Sequence, residues 1–375
     1  MGLWSPLVSL LSKMGPSASQ IACLGRLKAA KPPKSSTAIE AAVVADVRRR
    51  QAVAAAVLIR DKQRRRRVKP RSQFSEPFSW ASHLAKLTDH QFRLRYRLTP
   101  RAFQKLLTII IDDLVVKDET RARAAKWGHL IEPAVKLAVT LRYLAGGQVR
   151  DLMLIYDLSH NQCYVCIWKV VDAVNFSLPI EFPIDDPEKL RLMEVEFRAR
   201  SRCQGAWTGQ VGCLDGVHFA MRQPPPWVPN GMKYYVDRKG KFALLCMALC
   251  DAKRRFTMFD ISQTPTTHDS LAWEATALAA RISAGELPYP YFILGDAAFA
   301  VSAHLITPTG EKANDNFDFH QSSNRMPIEC AFGMLVRRFG ILWRSLEMRF
   351  DRRAAVVGAC MRLQRYTISA LTTMS

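Results

Sequence analysis

The stretch Val211–Phe219 constrains the fold most, because an apolar run there leads directly into Asp215. Gly216 follows the acid and allows the backbone to bend. A carboxylate that emerges from a buried strand loses much of its hydration, so a purely structural role for Asp215 would be costly. We therefore expect the fold to be built around this strand and Asp215 to have a function.

Two later stretches repeat this arrangement. The segment Tyr291–Asp296 is a second apolar strand that ends in an acid. The segment Arg325–Glu329 places a third acid in the first turns of a predicted amphipathic helix. Two strand acids and one helix acid are what a two-metal phosphodiester enzyme needs.

The order of predicted elements indicates the fold class. Apolar segments at 242–250 and 256–261 follow the first strand through tight connections and predict an antiparallel meander. A helix capped at His268–Ser270 and running to about Ala284 precedes the second acidic strand. Meander, helix, strand and helix is the order of a ribonuclease-H-like α/β (α+β) fold with a mixed sheet. There the first acid lies mid-sheet, the second on the adjacent strand and the third on a helix packed across both.

Three clustered carboxylates disfavour each other's charge and need cations. Carboxylate oxygens select hard ions, so two Mg²⁺ (or Mn²⁺) ions are expected as cofactors. The Cys163 and Cys166 pair has no second pair to complete a zinc site, and buried, reduced thiols explain it better. Taken singly, each acid could also be a strand-end acid or a helix acid favoured by the macrodipole.

A helical region, 76–205, precedes the acidic segments. Thr99 and Pro100 predict a helix start. Ser159 opens a capping box whose helix follows a shorter one after a brief turn, which resembles a helix-turn-helix. An ordinary helical hairpin explains this pattern equally well. If the region is a helix-turn-helix, the residues that face DNA are Asn161, Gln162 and Lys169.

Residues 1–75 hold 16 Lys or Arg against 3 Asp or Glu, within a formal net charge of +21 for the chain. This balance predicts a largely disordered basic tail, a DNA partner and a nuclear location. The densest block, expected to contact DNA phosphates or act in nuclear import, is Arg64, Arg65, Arg66 and Arg67. Residues 206–375 form the predicted endonuclease domain. No window of about 18 apolar residues occurs, so no membrane partner is expected.

The residues from about Phe92 onward resemble Harbinger-type (PIF/Harbinger) DDE transposases and the nucleases derived from them. The matching stretches are Leu214–His218, Tyr235–Gly240, Thr267–Ser270, Leu294–Phe299, Leu305–Pro308, and Arg325 with Glu329 and 331–333. The resemblance implies that Asp215, Asp296 and Glu329 are the catalytic, metal-binding triad. It also allows a separate Myb-like DNA-binding helper protein and a homo-oligomer as partners.

The same resemblance implies supporting or DNA-contacting roles for His218, His268, Asp269 and Arg325. Their ordinary alternatives are a strand histidine, a helix N-cap and a surface ion pair. The chain departs from the family pattern at Asp237 and Asp318, where Asn is usual.

Three functional interpretations follow, in order of preference. The first is an Mg²⁺-dependent DDE-type DNA endonuclease or transposase that cleaves, and in a fully active form joins, DNA phosphodiester bonds. The second is a catalytically silent, transposase-derived DNA-binding protein. The third is a ribonuclease-H-like nuclease that acts on RNA.

Overall fold

The computed structural model describes residues 78–115, 130–201, 205, 207–311 and 315–372. The predicted tail, with Arg64, Arg65, Arg66 and Arg67, lies outside these residues. Pro77–Ser375 forms one compact unit, and the division of this part into domains at 76–205 and 206–375 stays a prediction. Within the described residues, no helix is both long and apolar enough to cross a membrane.

The residues before the sheet are helical, as predicted. Their helices are α1 (Trp80–Ala85), α2 (Asp89–Tyr96), α3 (Pro100–Leu114), α4 (Pro133–Leu144), α5 (Val149–Ile155), α6 (His160–Ser177) and α7 (Pro187–Arg200). Thr99 caps α3 by accepting a hydrogen bond from the Ala102 backbone N–H, with Pro100 at the first helical position. Ser159 and Gln162 form the predicted capping box of α6.

The rest of the unit is a mixed sheet with helices on both faces. Its elements are β1 (Gln210–Ala220), β2 (Tyr235–Val236), β3 (Lys241–Cys250), β4 (Phe256–Asp260), α8 (Asp269–Glu274), α9 (Ala277–Ser283), β5 (Phe292–Leu294), β6 (Leu305–Ile306), α10 (Asp315–Arg338) and α11 (Phe350–Thr372). The strand order is β2-β3-β1-β5-β6, and β4 also pairs with β3. Strand β1 is antiparallel to β3 and parallel to β5. The predicted ribonuclease-H-like fold class is confirmed.

Alternating residues of β1 enter two different cores. Cys213 and Phe219 join the core that contains α3, α4, α6, α10 and α11. Leu214 joins the opposite core, with side chains from α7, α8 and α9. Asp215 shares the first face with Cys213, whereas Gly216 and His218 share the second with Leu214.

The structure differs from the predicted elements in three places. The helix expected from His268 to about Ala284 is two helices, because Thr276 caps α9 through the Ala279 N–H and interrupts the run. The short strand β6 was not expected at all. The helix of Glu329 begins at Asp315, so Glu329 lies within α10 rather than in its first turns. Pro327 lies inside this helix.

We predict that Ser159→Ala lowers the free energy of unfolding by about 1 kcal/mol, because the capping hydrogen bond to the Gln162 N–H is lost. Urea denaturation of the purified variant measures the change. The control is Ser177→Ala, at the other end of α6, which should change stability much less. Equal effects of the two substitutions would contradict the capping assignment.

Candidate active site

Two adjacent parallel strands bring the first two acids together. Cys213 of β1 pairs with Leu294 of β5. Asp215 lies two residues beyond Cys213, and Asp296 lies two residues beyond Leu294. Neighbouring strands are about 4.8 Å apart, so the end of β5 brings Asp296 near Asp215, close enough for its charge to act on the Asp215 carboxyl.

Helix α10 crosses the sheet and supplies the third acid. It packs against β1, β3 and β5 through an apolar stripe. The stripe is Ile328, Ala331, Phe332 and Leu335, all of them buried. Pro327 cannot donate a hydrogen bond within the helix, and close to it the Asn324 carbonyl accepts hydrogen bonds from the Gln210 side chain (3.4 Å) and the Cys213 thiol (3.2 Å). These bonds dock the helix on β1 next to Asp215.

Arg325 forms ion pairs with two of the three acids. Its Nη2 lies 2.6 Å from Glu329 Oε1, and its Nη1 lies 3.5 Å from Asp215 Oδ2. The Arg325 side chain is only 14% exposed, whereas that of Glu329 is 53% exposed. The guanidinium therefore lies at the buried end of the acidic cluster, and Glu329 lies at its open end.

Burial raises the pKa of Asp215 to about 6. The Gly216 backbone N–H, 2.8 Å from Asp215 Oδ1, and the charge of Arg325 both lower this pKa and oppose burial. The charges of Asp296 and Glu329 raise it further. The three carboxylates are thus close enough to repel one another, as a shared cation site requires.

The chemistry of the donors fits Mg²⁺ or Mn²⁺, because all three are carboxylates. Among the described residues, however, no three His, Cys, Asp or Glu side chains are close enough to hold one ion together. Arg325 occupies two of the carboxylates instead. An ion bound at Glu329 Oε1 would therefore displace the Arg325 guanidinium from this oxygen.

The predicted supporting residues lie at different places. Arg325 lies within the acidic cluster. His218 projects from the face of β1 opposite Asp215, with Nε2 3.3 Å from the Pro265 carbonyl oxygen. Asp269 lies on that same face and packs over Gly216. A side chain added at Gly216 would bring its Cβ atom to within 3.2 Å of Asp269 Oδ1. His268 caps α8 by accepting a hydrogen bond from the Ser270 N–H. Roles for these three in DNA contact stay predictions.

The predicted DNA-facing residues of α6 do not all have free side chains. Asn161 and Lys169 are exposed, while the Gln162 side-chain oxygen accepts the Ser159 N–H at 2.8 Å and so serves the helix cap. The opposite face of α6 packs against α3, α4 and α11. Both a recognition helix and a scaffold helix fit this placement.

One polar residue near the acids was missed at the sequence level. Gln321 of α10 is fully buried, and its Nε2 donates to the Gly295 carbonyl, immediately before Asp296. Gln321 lies two helical turns before Glu329, and this spacing would have predicted that both residues lie on one face of the helix. The spacing was not used because α10 was expected to begin only near Arg325.

Similarity to known proteins agrees with this geometry. The family model described as "DDE superfamily endonuclease" matches residues 214–365, which include Asp215, Asp296 and Glu329. Residues 214–365 are thus similar to a DDE superfamily endonuclease domain. The predicted resemblance is confirmed, and the matched segment contains Leu214–Ala220 of β1, all of α10 and the strands between them. DDE superfamily nucleases generally use divalent metal ions.

Full-length relatives extend the similarity beyond the DDE domain. The chain is 23% identical to "Putative nuclease HARBI1" of Bos taurus over 279 residues, which cover 72% of this chain and 75% of the relative. The proteins of the same name from Mus musculus (24%) and Homo sapiens (23%) match over the same length and shares. No solved structure matches the chain significantly.

We predict that Asp215→Asn stabilises the metal-free protein at neutral pH. The folded-state pKa of Asp215 is raised from 3.8 to about 6, so the folded state holds the proton more tightly. The Asp215 carboxyl therefore contributes to the stability of the fold below pH 4, and this contribution is lost as the pH rises through 6. At 1.36 kcal/mol per pKa unit, the loss in the free energy of unfolding is up to about 3 kcal/mol. Asn, which stays neutral, avoids this loss.

Thermal unfolding in a metal chelator, between pH 4.5 and 8, measures the effect. The variant should be more stable than the wild type at pH 8, and the difference should shrink towards pH 4.5. A stability difference that does not depend on pH would contradict the raised pKa of Asp215.

Proposed function

We propose that this protein is a metal-dependent DNA endonuclease of the DDE type, which cleaves phosphodiester bonds and, in its fully active form, joins DNA 3′-ends. One observation carries the proposal: Asp215, Asp296 and Glu329 come from two adjacent strands and the helix across them, and converge on one sheet face. The match of residues 214–365 to a DDE endonuclease family supports it.

Each acid would have a defined part in the reaction. Asp215 and Asp296 lie near each other and would hold the ions, with Glu329 completing the set from the open end of the cluster. Two bound Mg²⁺ or Mn²⁺ ions would supply an activated water and stabilise the leaving oxygen of an in-line displacement. The partial burial of Asp215 keeps bulk water from screening these charges.

Arg325 would then change partners. Its guanidinium pairs with both Asp215 and Glu329 in the metal-free protein and offsets part of their negative charge. Once Glu329 binds an ion, the planar guanidinium is free to donate to the oxygens of a DNA phosphate. The same positive charge would thus face carboxylates before DNA and metal bind and a phosphate afterwards.

DNA contacts outside the site are part of the same proposal. The basic residues 1–75, with Arg64–Arg67, would contact phosphates without sequence preference and direct the protein to the nucleus. Asn161 and Lys169, both exposed on α6, would contact the flanking duplex. A Myb-like helper protein would then supply sequence specificity, and a homo-oligomer would pair two DNA ends.

A catalytically silent DNA-binding protein is the second candidate. The ion pairs of Arg325 favour it, because they satisfy two of the three acids without any metal ion. Such a protein would bind DNA through its basic surfaces and show no metal-dependent cleavage.

We predict that Glu329→Gln lowers the rate of plasmid nicking in Mg²⁺ by at least about a hundredfold, because loss of a direct ligand should exceed the 10–100-fold effects seen for outer-shell partners. DNA binding should be unchanged or slightly tighter, since one negative charge facing the phosphates is removed. Nicking is measured on supercoiled plasmid and binding by fluorescence anisotropy.

The matched control is Glu274→Gln, another helical glutamate, which accepts a hydrogen bond from Ser270 and should nick like the wild type. Binding without nicking by the wild type would identify the silent DNA-binding protein. Cleavage of an RNA–DNA hybrid in preference to duplex DNA would identify the RNA nuclease instead.

A further inference from the structure

Gln321 links helix α10 to the strand end that carries the second acid. The residue is fully buried. Its Nε2 lies 2.6 Å from the Gly295 carbonyl oxygen and 3.4 Å from the Ile306 carbonyl oxygen. The side chain therefore reaches the ends of both β5 and β6 from a single position on the helix.

The Gly295 carbonyl lies just beyond the last residue of β5. The Gly295 N–H is held by the Ile306 carbonyl at 3.0 Å, which continues the pairing of β5 with β6. The Gly295 carbonyl belongs to the peptide group that leads into Asp296, so a bond to it fixes the position of that residue's backbone. Asp296 is further held by its own turn, in which Oδ1 accepts the Ala298 N–H at 3.0 Å.

The contacts of Gln321 require an amide that donates. Two carbonyl oxygens face the same terminal atom, so this atom must be the NH₂ group rather than the oxygen. The other atom, Oε1, is buried, and none of the described protein groups donates to it. Burial of an unpaired acceptor costs free energy that an apolar side chain of the same size would avoid. The donating amide is thus a specific feature of this position.

Helical spacing places Gln321 in line with the other functional residues of α10. Gln321, Arg325 and Glu329 are four residues apart, so they occupy one stripe of the helix. Gln321 contacts the end of β5, Arg325 contacts Asp215 of β1, and Glu329 is the third acid. A shift of α10 relative to the sheet would therefore change the two contacts and the position of Glu329 together.

We propose that Gln321 is a positioning residue, which holds the Gly295–Asp296 peptide against α10 and thereby sets the distance between Asp296 and Glu329. This inference rests on the proposed function, because it assumes that the two acids bind metal together. Gln321 itself touches neither substrate nor metal.

The test is Mn²⁺ binding by the purified full chain without DNA, measured from the electron paramagnetic resonance signal of free Mn²⁺. Gln321→Met keeps the size of the side chain and removes the donor, so the dissociation constant for Mn²⁺ should rise about tenfold or more. Hydrogen exchange of the backbone amides of residues 295–298 should become faster in the same variant. Far-ultraviolet circular dichroism shows whether the variant folds.

The matched control is Gln364→Met. Gln364 is an equally buried glutamine, whose Oε1 accepts a hydrogen bond from Arg338 Nε at 2.7 Å rather than contacting a strand that carries an acid. It should lose stability but keep the Mn²⁺ affinity of the wild type. Should Gln321→Met fail to fold, Gln321→Leu replaces it, because this smaller apolar side chain also removes the donor and should also weaken Mn²⁺ binding.

Wild-type Mn²⁺ affinity in a folded Gln321 variant would overturn the proposal, as would equal losses in the Gln321 and Gln364 variants. Asp296→Ala separates this failure from a failure of the proposed function. If Asp296→Ala loses Mn²⁺ binding while Gln321→Met keeps it, only the positioning role is wrong. If the wild type does not bind Mn²⁺, or Asp296→Ala binds it normally, the metal assignment is wrong and the positioning role fails with it.

Discussion

Arg325 lies between Asp215 and Glu329, and this one guanidinium offsets part of the negative charge that the fold gathers on one face of its sheet. The end of β5 brings Asp296 close to Asp215, and the negative charge of Asp296 disfavours the ionisation of Asp215. The raised pKa of Asp215 reflects its burial first and this repulsion second. Without a cation or Arg325, such a cluster would oppose folding at neutral pH.

Helix α10 determines how this charge balance is built. Its apolar stripe packs on the sheet, and carbonyl contacts next to Pro327 dock it on β1. From this fixed position one stripe of the helix presents Gln321, Arg325 and Glu329 to three different parts of the site. The geometry of the acids therefore depends on the placement of α10 as much as on the sheet.

Sequence patterns predicted the site better than its surroundings. Asp215 and Asp296 follow apolar runs, so their two strands could be predicted from the sequence, and the order of elements predicted a mixed sheet; the short strand β6 could not be predicted in this way. Glu329 was correctly predicted to lie on a helix, but the first residues of that helix, from Asp315 to Asn324, were missed because they are mostly polar and show no clear apolar stripe. Gln321 and the ion pair from Arg325 to Asp215 are contacts between distant segments. Such contacts follow from packing rather than from spacing along the chain.

We propose that Asp215, Asp296 and Glu329 form one divalent-metal site from which Arg325 withdraws. Anomalous X-ray scattering from a crystal soaked in Mn²⁺ would locate the bound ions. We expect Mn²⁺ peaks in contact with Asp215 and Asp296, with Glu329 released from Arg325. Mn²⁺ found only elsewhere, with Arg325 still bridging Asp215 and Glu329 at saturating concentration, would contradict it.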